Sequence, residues 1–416
     1  MKYFGTDGIR GIYGEGITED TAYRAGRALA RLFRGRGLIG RDTRTSGPSL
    51  ESALVAGITD GGCDAVTTDV LPTPAVSHLT VKTGAAFGVM VSASHNPPEY
   101  NGIKVFLPSG GKLPLSVEEA LEYYMDNISE RSECHGRRIR FEGGRGEYFD
   151  SLTETAAAMG AKLGCARLDG LRVMLDCGGG AATGIAREVF EALGATVGEL
   201  CSECRGECIN VRCGALHPER MAEAAARGYD IGLSFDGDAD RLVVWHRRVL
   251  GGDEVMLNLA RLLTPPATVV GTVMANSALE RTLTARGYNF VRTAVGDRCV
   301  GEVMAATDAS LGGEPSGHFI LGGQATGDGV LSGIAVSLLL MRGGLESLEL
   351  DAQKLVSVPA SPAAMASDAV RDAINEARKL AGRVVVRMSG TEPLMRIMAE
   401  GGDTDGAIEV VRRVLV

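Results

Sequence analysis

Short apolar runs that end in a glycine-rich turn and hand over to a helix-period segment recur along most of this chain. That alternation restricts it to α/β folds. Residues 172–176 read as a strand, followed by a glycine turn and a helix over 184–193. Residues 229–235 form another apolar strand, and the unit repeats as a strand over 269–274 and a helix over 277–286. Thr18 is placed to cap a helix with Glu19 and Asp20 in its first turn and Ala22, Ala25, Leu29 and Leu32 at helical spacing. Ser116-Val117-Glu118-Glu119 has the form of a capping box opening another helix. No short-period repeat is evident, but recurrence of the unit allows several similar domains in series. At 416 residues the chain exceeds one core, and length alone points to about three domains. Breaks fall at the polar, glycine-rich stretch 131–146, at 247–252, and at 350–367, where Pro359 and Pro362 sit. The segment after the last break reads helix, strand, strand, helix, a small α+β domain.

Composition narrows the function. Apolar residues make up 45% and charged residues 23% of the chain, as in an ordinary soluble globular protein. The 57 glycines are about twice the usual ~7%. Many stand where strands end, which suits tight turns and close backbone approach to ligands. A net charge of −9 argues against nucleic acid or an acidic membrane as partner. An anionic substrate would need local arginines and lysines. No apolar run reaches the roughly 18 residues of a membrane helix, and residues 334–341 read as a core helix. The opening Met1-Lys2-Tyr3-Phe4-Gly5-Thr6-Asp7 has no signal-peptide core, so a cytoplasmic location is expected. Nine cysteines, an odd number, argue against a disulfide framework.

Four segments carry chemistry. In the first, the apolar strand 87–91 runs into Ser92-Ala93-Ser94-His95-Asn96-Pro97, and Lys104 opens the next apolar stretch. A hydroxyl at a strand end is held rigidly and is expected to face solvent, as a phosphate acceptor or nucleophile requires; an Asn-Pro turn would look similar. In the second, Asp236, Asp238 and Asp240 alternate in a loop that ends at Arg241. Three clustered carboxylates repel one another unless a cation compensates them. An EF-hand is excluded, because loop position six is Arg241 and position twelve is Arg247. Few protein ligands are visible, which favours Mg²⁺ over Ca²⁺. In the third, Arg387 and Arg396 flank Ser389-Gly390-Thr391 at a strand end, a set suited to cradling phosphate. In the fourth, Glu314, Ser316 and His318 bring a carboxylate, a hydroxyl and an imidazole together, enough to read sugar hydroxyls.

Three features are weaker. Arg10 sits in the glycine-rich turn that starts at Gly5. The run from Gly178 to Gly184 places its third glycine one residue late for a dinucleotide fingerprint. Cys201, Cys204, Cys208 and Cys213 form a C-x2-C-x3-C-x4-C run that fits no standard zinc pattern. Zinc, an iron–sulfur cluster or unpaired thiols are the readings open to it.

Together, in this order, the serine, aspartate, sugar and phosphate loops resemble the α-D-phosphohexomutase superfamily over essentially the whole length. Within it, Tyr3-Phe4-Gly5-Thr6-Asp7-Gly8-Ile9-Arg10-Gly11, Ala294-Val295-Gly296-Asp297-Arg298 and residues 387–396 look most like the phosphoglucosamine mutase branch. Pro315 stands where that branch usually has Gln, and Cys208 where it usually has Asn. The resemblance implies a heart-shaped, four-domain α/β architecture, with three α/β domains and a small C-terminal α+β domain. Expected boundaries are 1–145, 146–248, 249–351 and 352–416. It implies a phosphoserine at Ser94 and Mg²⁺ held by Asp236, Asp238, Asp240 and the serine phosphate. Arg10, Lys104 and Arg241 would lie near the transferred phosphoryl, with Lys104 or His95 as acid/base. Lys104 would need a depressed pKa for that role. Glu314, Ser316 and His318 would meet the sugar, and Arg387, Ser389, Gly390, Thr391 and Arg396 the distal phosphate. The implied reaction interconverts glucosamine 6-phosphate and glucosamine 1-phosphate through a hexosamine 1,6-bisphosphate, which also serves as activator. Rival readings are a phosphomannomutase/phosphoglucomutase, a metal-dependent sugar phosphatase and a non-catalytic sugar-phosphate sensor.

Overall fold

The computed structural model describes residues 2–5, 7–127, 134–203, 205–388 and 394–415. Four sheets follow one another along the chain. The first has seven strands, ordered Phe4–Gly5, Gly8–Ile12, Tyr100–Phe106, Phe87–Val91, Gly37–Arg41, Ala65–Val70 and Arg138–Arg140. Its last four strands are mutually parallel, and Tyr100–Phe106 runs antiparallel beside Phe87–Val91. The second sheet is ordered Arg248–Val249, Leu242–His246, Ile231–Phe235, Arg172–Asp176 and Thr196–Leu200. The third is Asn289–Thr293, Thr268–Thr272, Leu311–Gly313 and Phe319–Leu321; the fourth is Gln353–Pro359, Leu394–Gly402 and Ala381–Met388. Three α/β units and a small α+β unit result.

Parallel strands buried on both faces need apolar side chains throughout. Phe87–Val91 meets that demand and Ile231–Phe235 does so except at Ser234, and both are buried at every position. Their carboxyl ends deliver the serine and aspartate loops, and the end of Leu311–Gly313 delivers the sugar loop. In open α/β sheets that is where ligands bind.

Several expected elements hold. Thr18 caps the helix Glu19–Phe33 and accepts from the Thr21 N–H at 3.2 Å. The helix Ile185–Ala192 lies between Gly184 and Leu193 as cap residues. The expected core helix is Gly329–Gly343, buried along most of its length.

Others differ. The strand expected over 229–235 starts at Ile231, because the Tyr229 N–H still closes the preceding helix on the Ala225 carbonyl at 2.9 Å. The strand expected over 269–274 ends at Thr272, whose hydroxyl turns the chain by accepting from the Met274 N–H at 3.2 Å. Ser116 is not a cap: the helix is Leu115–Asn127, and Pro114 supplies the first carbonyl. Within the stretch 131–146, expected as a linker or exposed hairpin, Arg138–Arg140 is an edge strand parallel to Ala65–Val70, and a helix opens at Gly144. The stretch 350–367 was expected to be a break, but most of it is the edge strand Gln353–Pro359 and a short helix Pro362–Met365. Proline is tolerated there because an edge strand leaves one side unpaired.

One continuous apolar core runs through the first three sheets, from Leu38 to Leu348, and the fourth sheet has its own. Polar ties join the units. Tyr148, from the helix Gly144–Leu163, donates its buried hydroxyl to Asp328, 3.0 and 2.9 Å from the two carboxylate oxygens. Asp328 also caps the Gly329–Gly343 helix through the Leu331 N–H at 2.8 Å. Burial pushes the Asp328 carboxyl up to about 6, against the pull of its hydrogen bonds. Glu400 ties the fourth unit to the third by accepting from the Ser277 N–H at 2.6 Å.

Tyr148→Phe leaves a buried carboxylate short of a donor and should cost about 1–3 kcal/mol in chemical denaturation at pH 8. An acid with a raised folded pKa loses its contribution to stability as pH rises from about 4, its unfolded value, through about 6. The cost of Tyr148→Phe should therefore be smaller at pH 5, where Asp328 is protonated. Equal costs at both pH values would refute this account of the pair.

Candidate active site

Ser94 lies just beyond the strand Phe87–Val91 and is buried, 1% exposed, rather than facing solvent. The loop turns inward because Ser94 takes a left-handed φ of 52°. Its N–H is held by the Ser92 hydroxyl at 2.8 Å, and Ser92 in turn donates to Asp42 at 2.7 Å. The loop carbonyls are gripped from outside. Buried Arg44 donates to Ser94 O at 3.0 Å, Asn96 O at 2.8 Å and Tyr100 O at 2.9 Å, and it pairs with Asp42 at 2.9 Å. Asn210 donates to the same Ser94 and Asn96 carbonyls at 2.8 and 3.0 Å. So fixed, the Ser94 hydroxyl donates to Asp236 at 2.6 Å and lies 3.3 Å from His95 Nδ1.

Asp236, Asp238 and Asp240 are all buried, and one oxygen of each falls within 4.8 Å of the others. Burial, with Asp240 and Asp238 beside it, pushes the Asp236 carboxyl well above the usual range. Lys104 reaches into the group from the strand Tyr100–Phe106, 2.7 Å from Asp238 and 2.8 Å from Asp240. It also lies 3.2 Å from Asp7. One ammonium does not neutralise this set. Asp238 Oδ1 and Asp240 Oδ1 are buried without a hydrogen-bond partner. Hard oxygen donors that converge with spare lone pairs fit a hard divalent cation.

The expected depressed pKa of Lys104 is not found. Burial lowers it, but Asp238, Asp240 and Asp7 outweigh burial and hold the ammonium well above its ordinary value. His95 behaves oppositely. Burial, then Arg241 and Arg10, lowers it to about 3, so its imidazole is neutral.

These groups border a cleft of about 590 Å³. Arg10, His95, Asp240 and Arg241 line its floor, while Lys104 and Ser94 lie beneath it. Arg10 is oriented by Asp7 at 2.9 Å and Asn96 at 3.0 Å. Glu314 and Ser316 line one wall, and Glu314 accepts from the Gly296 N–H at 3.2 Å. His318 lines the cleft but is buried; its Nε2 accepts from the Gly327 N–H at 3.1 Å, and its Nδ1 lies 3.9 Å from Asp240. It orients Asp240 as much as it meets the cleft. Pro315 is absent from the lining. Its backbone packs on Gly252 so closely that a Cβ there would overlap it.

Arg387 and Arg396 stand opposite each other in the antiparallel register of the fourth sheet, and both line the cleft. Among the described residues neither has a carboxylate at ion-pair distance, and the Nε of each is buried without a partner. Burial and the facing Arg396 lower the Arg387 pKa. Two guanidiniums in mutual repulsion make a ready anion site. Ser389, Gly390 and Thr391, expected in the same cradle, lie outside the described residues, as does Cys204.

The structure adds residues that sequence reading missed. Arg44 and Asp42 follow the strand Gly37–Arg41, and Asn210 comes from the cysteine-rich run. Lys112 bridges Asp7 and Asp297 across the first and third units. Arg298 joins the same units by donating to Glu118 at 2.6 Å. An Arg-Asp-Thr-Arg sequence at a strand end was the one signal available for Arg44.

A cation at the three aspartates stabilises only the folded chain. Saturating Mg²⁺ should therefore raise the melting temperature over EDTA by about 2–4 °C. Asp238→Asn should abolish that rise while melting no lower than the parent in EDTA, because one buried charge is removed. A Mg²⁺ shift surviving in Asp238→Asn would place the cation elsewhere.

Four models of phosphoglucomutase/phosphomannomutase domains match the chain in order: domain I at residues 1–132, domain II at 146–251, domain III at 251–356 and the C-terminal domain at 351–415. A phosphoglucosamine mutase of Moorella thermoacetica is 43% identical, covering 97% of this chain and 96% of its own. One from Thermotoga neapolitana is 40% identical, covering 100% and 98%. Among solved structures, a phosphoglucomutase/phosphomannomutase family protein of Burkholderia thailandensis shares the fold with a TM-score of 0.81 at 23% identity, covering 100% of this chain and 96% of that one. A chain so matched from end to end belongs to the phosphoglucomutase/phosphomannomutase family.

Proposed function

We propose that this enzyme interconverts glucosamine 6-phosphate and glucosamine 1-phosphate, with Ser94 as the phosphoryl carrier. The observation that carries the reading is the pairing of two ends in one cleft. At one end the Ser94 hydroxyl lies 2.6 Å from a carboxylate of the buried aspartate triad. At the other, Arg387 and Arg396 face each other without a carboxylate partner among the described residues. Full-length relatives at about 40% identity carry the phosphoglucosamine mutase name, which favours the amino sugar.

Mg²⁺ fits the aspartates, and when bound it supplies positive charge against the oxygens of the transferring phosphoryl group. Arg10 and Arg241 border the same end from the cleft side and serve the same charge. Lys104, fixed between Asp238 and Asp240, adds a permanent cation below. His95 faces the cleft next to Ser94 and is the better placed of the two expected groups to exchange a proton with the sugar hydroxyl. Phosphoserine 94 gives its phosphoryl group to the substrate, the 1,6-bisphosphate turns over, and its other phosphate returns to Ser94. Arg387 and Arg396 hold whichever phosphate is not reacting. Glu314 meets the sugar from the wall and offers a carboxylate to a 2-ammonium group. Pro315, between Glu314 and Ser316, packs its backbone on Gly252.

Ser94→Ala should lower mutase activity by at least ~10³-fold, because the covalent carrier is gone. The fold should survive, with at most about 1–2 kcal/mol lost with the hydroxyl's hydrogen bonds. Near-normal rates in phosphate-free Ser94→Ala protein would end the assignment.

Glucosamine 6-phosphate should be preferred by kcat/KM over glucose and mannose 6-phosphates by roughly 10–100-fold, the worth of one charge-assisted contact. Glu314→Gln should shrink that preference. Equal turnover of mannose 6-phosphate at matched bisphosphate would move the enzyme to the phosphomannomutase/phosphoglucomutase reading.

A further inference from the structure

The cysteine-rich run is the sequence feature that the mutase reading leaves unused. The strand Thr196–Leu200 ends at Cys201, and a single 3-10 turn, Gly206–Cys208, leads on to Asn210 and Cys213. Cys201 is half-buried and Cys213 is buried. Their sulfurs and an oxygen of Asp176 lie within 4.8 Å of one another, and the Cys213 thiol donates to the Cys208 carbonyl at 4.0 Å. Arg220 approaches the Cys201 sulfur at 3.9 Å. Both oxygens of Asp176 are already engaged, accepting from the Gly178 N–H at 3.0 Å and the Gly214 N–H at 2.8 Å. A guanidinium at this spot opposes a divalent cation and favours a thiolate. The neighbouring Cys213 lowers the Cys201 thiol, against burial and the Asp176 carboxylate, which both raise it. Sulfur–sulfur chemistry fits these groups better than metal binding.

The same run grips the serine loop. Asn210, with a left-handed φ of 60°, holds the Ser94 and Asn96 carbonyls. Gly206 lies so close to the backbone of Thr43 and Arg44 that a Cβ would overlap it. A disulfide requires the sulfurs to close to about 2.05 Å. Asn210 lies in the segment that a Cys201–Cys213 bond would close into a loop.

We propose that Cys201 and Cys213 form a reversible disulfide, made by a peroxide, that loosens Asn210 from the serine loop and slows the enzyme. The effect on rate rests on the mutase reading; the disulfide and the loosening do not. The Cys201 thiolate attacks one peroxide oxygen, the O–O bond breaks, and the released hydroxide takes a proton to leave as water. The sulfenic acid on Cys201 is then attacked by Cys213. An S–S bond forms, the S–O bond breaks, and the Cys213 proton leaves with hydroxide as a second water. Two thiols are oxidised by two electrons, and one peroxide is reduced to two waters. A dithiol reverses the bond by exchange.

The test titrates the fully reduced protein with hydrogen peroxide, blocks remaining thiols and maps the peptides. A Cys201–Cys213 link with loss of two hydrogens is expected. Amide exchange across residues 92–96 should rise with it. Glucosamine phosphate interconversion should fall about tenfold or more, since two hydrogen bonds to the loop are disturbed. Dithiothreitol should restore all three. Cys201→Ser should keep the reduced enzyme's rate and lose the peroxide response, and Cys213→Ser should leave a sulfenic acid on Cys201 that dimedone traps. The proposal is overturned by links confined to other cysteines, or by a Cys201–Cys213 link with unchanged exchange in the serine loop. It is also overturned by stoichiometric zinc in the purified protein that Cys201→Ser removes. An enzyme that is inactive when reduced would remove the mutase reading, while peptide map and exchange still decide the disulfide and its effect on the loop.

Discussion

Three carboxylates buried within 4.8 Å of one another, facing one lysine, set the terms for the rest of this molecule. A buried charge cluster of this kind is destabilising unless its surroundings supply cations and donors. The surroundings come from three separate units. Lys104 and the Thr73 hydroxyl, 2.5 Å from Asp238, come from the first. The aspartates belong to the second. His318 faces Asp240 from the third, and the Gly329 N–H bonds the Ala239 carbonyl at 2.9 Å. No unit satisfies the loop alone. Burial of the aspartates therefore depends on assembly of the first three units, which also share the large apolar cluster that runs from Leu38 to Leu348.

The serine loop shows the complementary solution. A buried left-handed serine is an unfavourable local conformation, and surrounding contacts must impose it. Arg44 and Asn210 do so, one from each of two units, by taking the same two carbonyls. Arg44 is itself buried with Asp42 as partner, and burial raises the Asp42 carboxyl even as Arg44 lowers it. The polar network thus behaves as a clamp whose parts depend on one another. Ser94 is positioned by atoms that never touch substrate.

Much of this was legible in the sequence, and the limits have physical reasons. Strands buried on both faces, such as Phe87–Val91 and, apart from Ser234, Ile231–Phe235, announce themselves by near-continuous apolar runs. The residues that follow them were legible as chemistry because polar clusters at such ends require explanation. The edge strands Arg138–Arg140 and Gln353–Pro359 were not, since a half-exposed edge reads like a linker and takes polar residues and proline freely. Arg44 and Asn210 were missed for another reason. Their partners are backbone carbonyls far away in the chain, and backbone acceptors leave no sequence mark. The burial of Ser94 and the high pKa of Lys104 were also invisible, because both depend on which units close over the loop.

The two ends of the cleft are charged on different principles, and the difference bears on how a substrate could turn between them. At the serine end Lys104 is taken by Asp238 and Asp240 and Arg10 by Asp7, while Arg241 stands 4.0 Å from Asp240 with its Nε buried and unpartnered. The paired cations change the charge on a reacting group without binding a phosphate tightly, because each must share its partner. The far end holds a guanidinium pair without carboxylate partners among the described residues, facing each other across two strands. There an anion relieves repulsion as well as gaining hydrogen bonds, so the grip is stronger. Under the proposed function, this contrast favours holding at the far end and reaction at the serine end. A substrate with an anion at each end can then be held by either one while the other reacts. The fourth unit carries the far end on its own core and meets the third through Glu400 and Arg383, whose guanidinium bonds the Ala275 carbonyl at 2.7 Å. The guanidinium pair is thus carried by a unit with its own apolar core, tied to the third by hydrogen bonds.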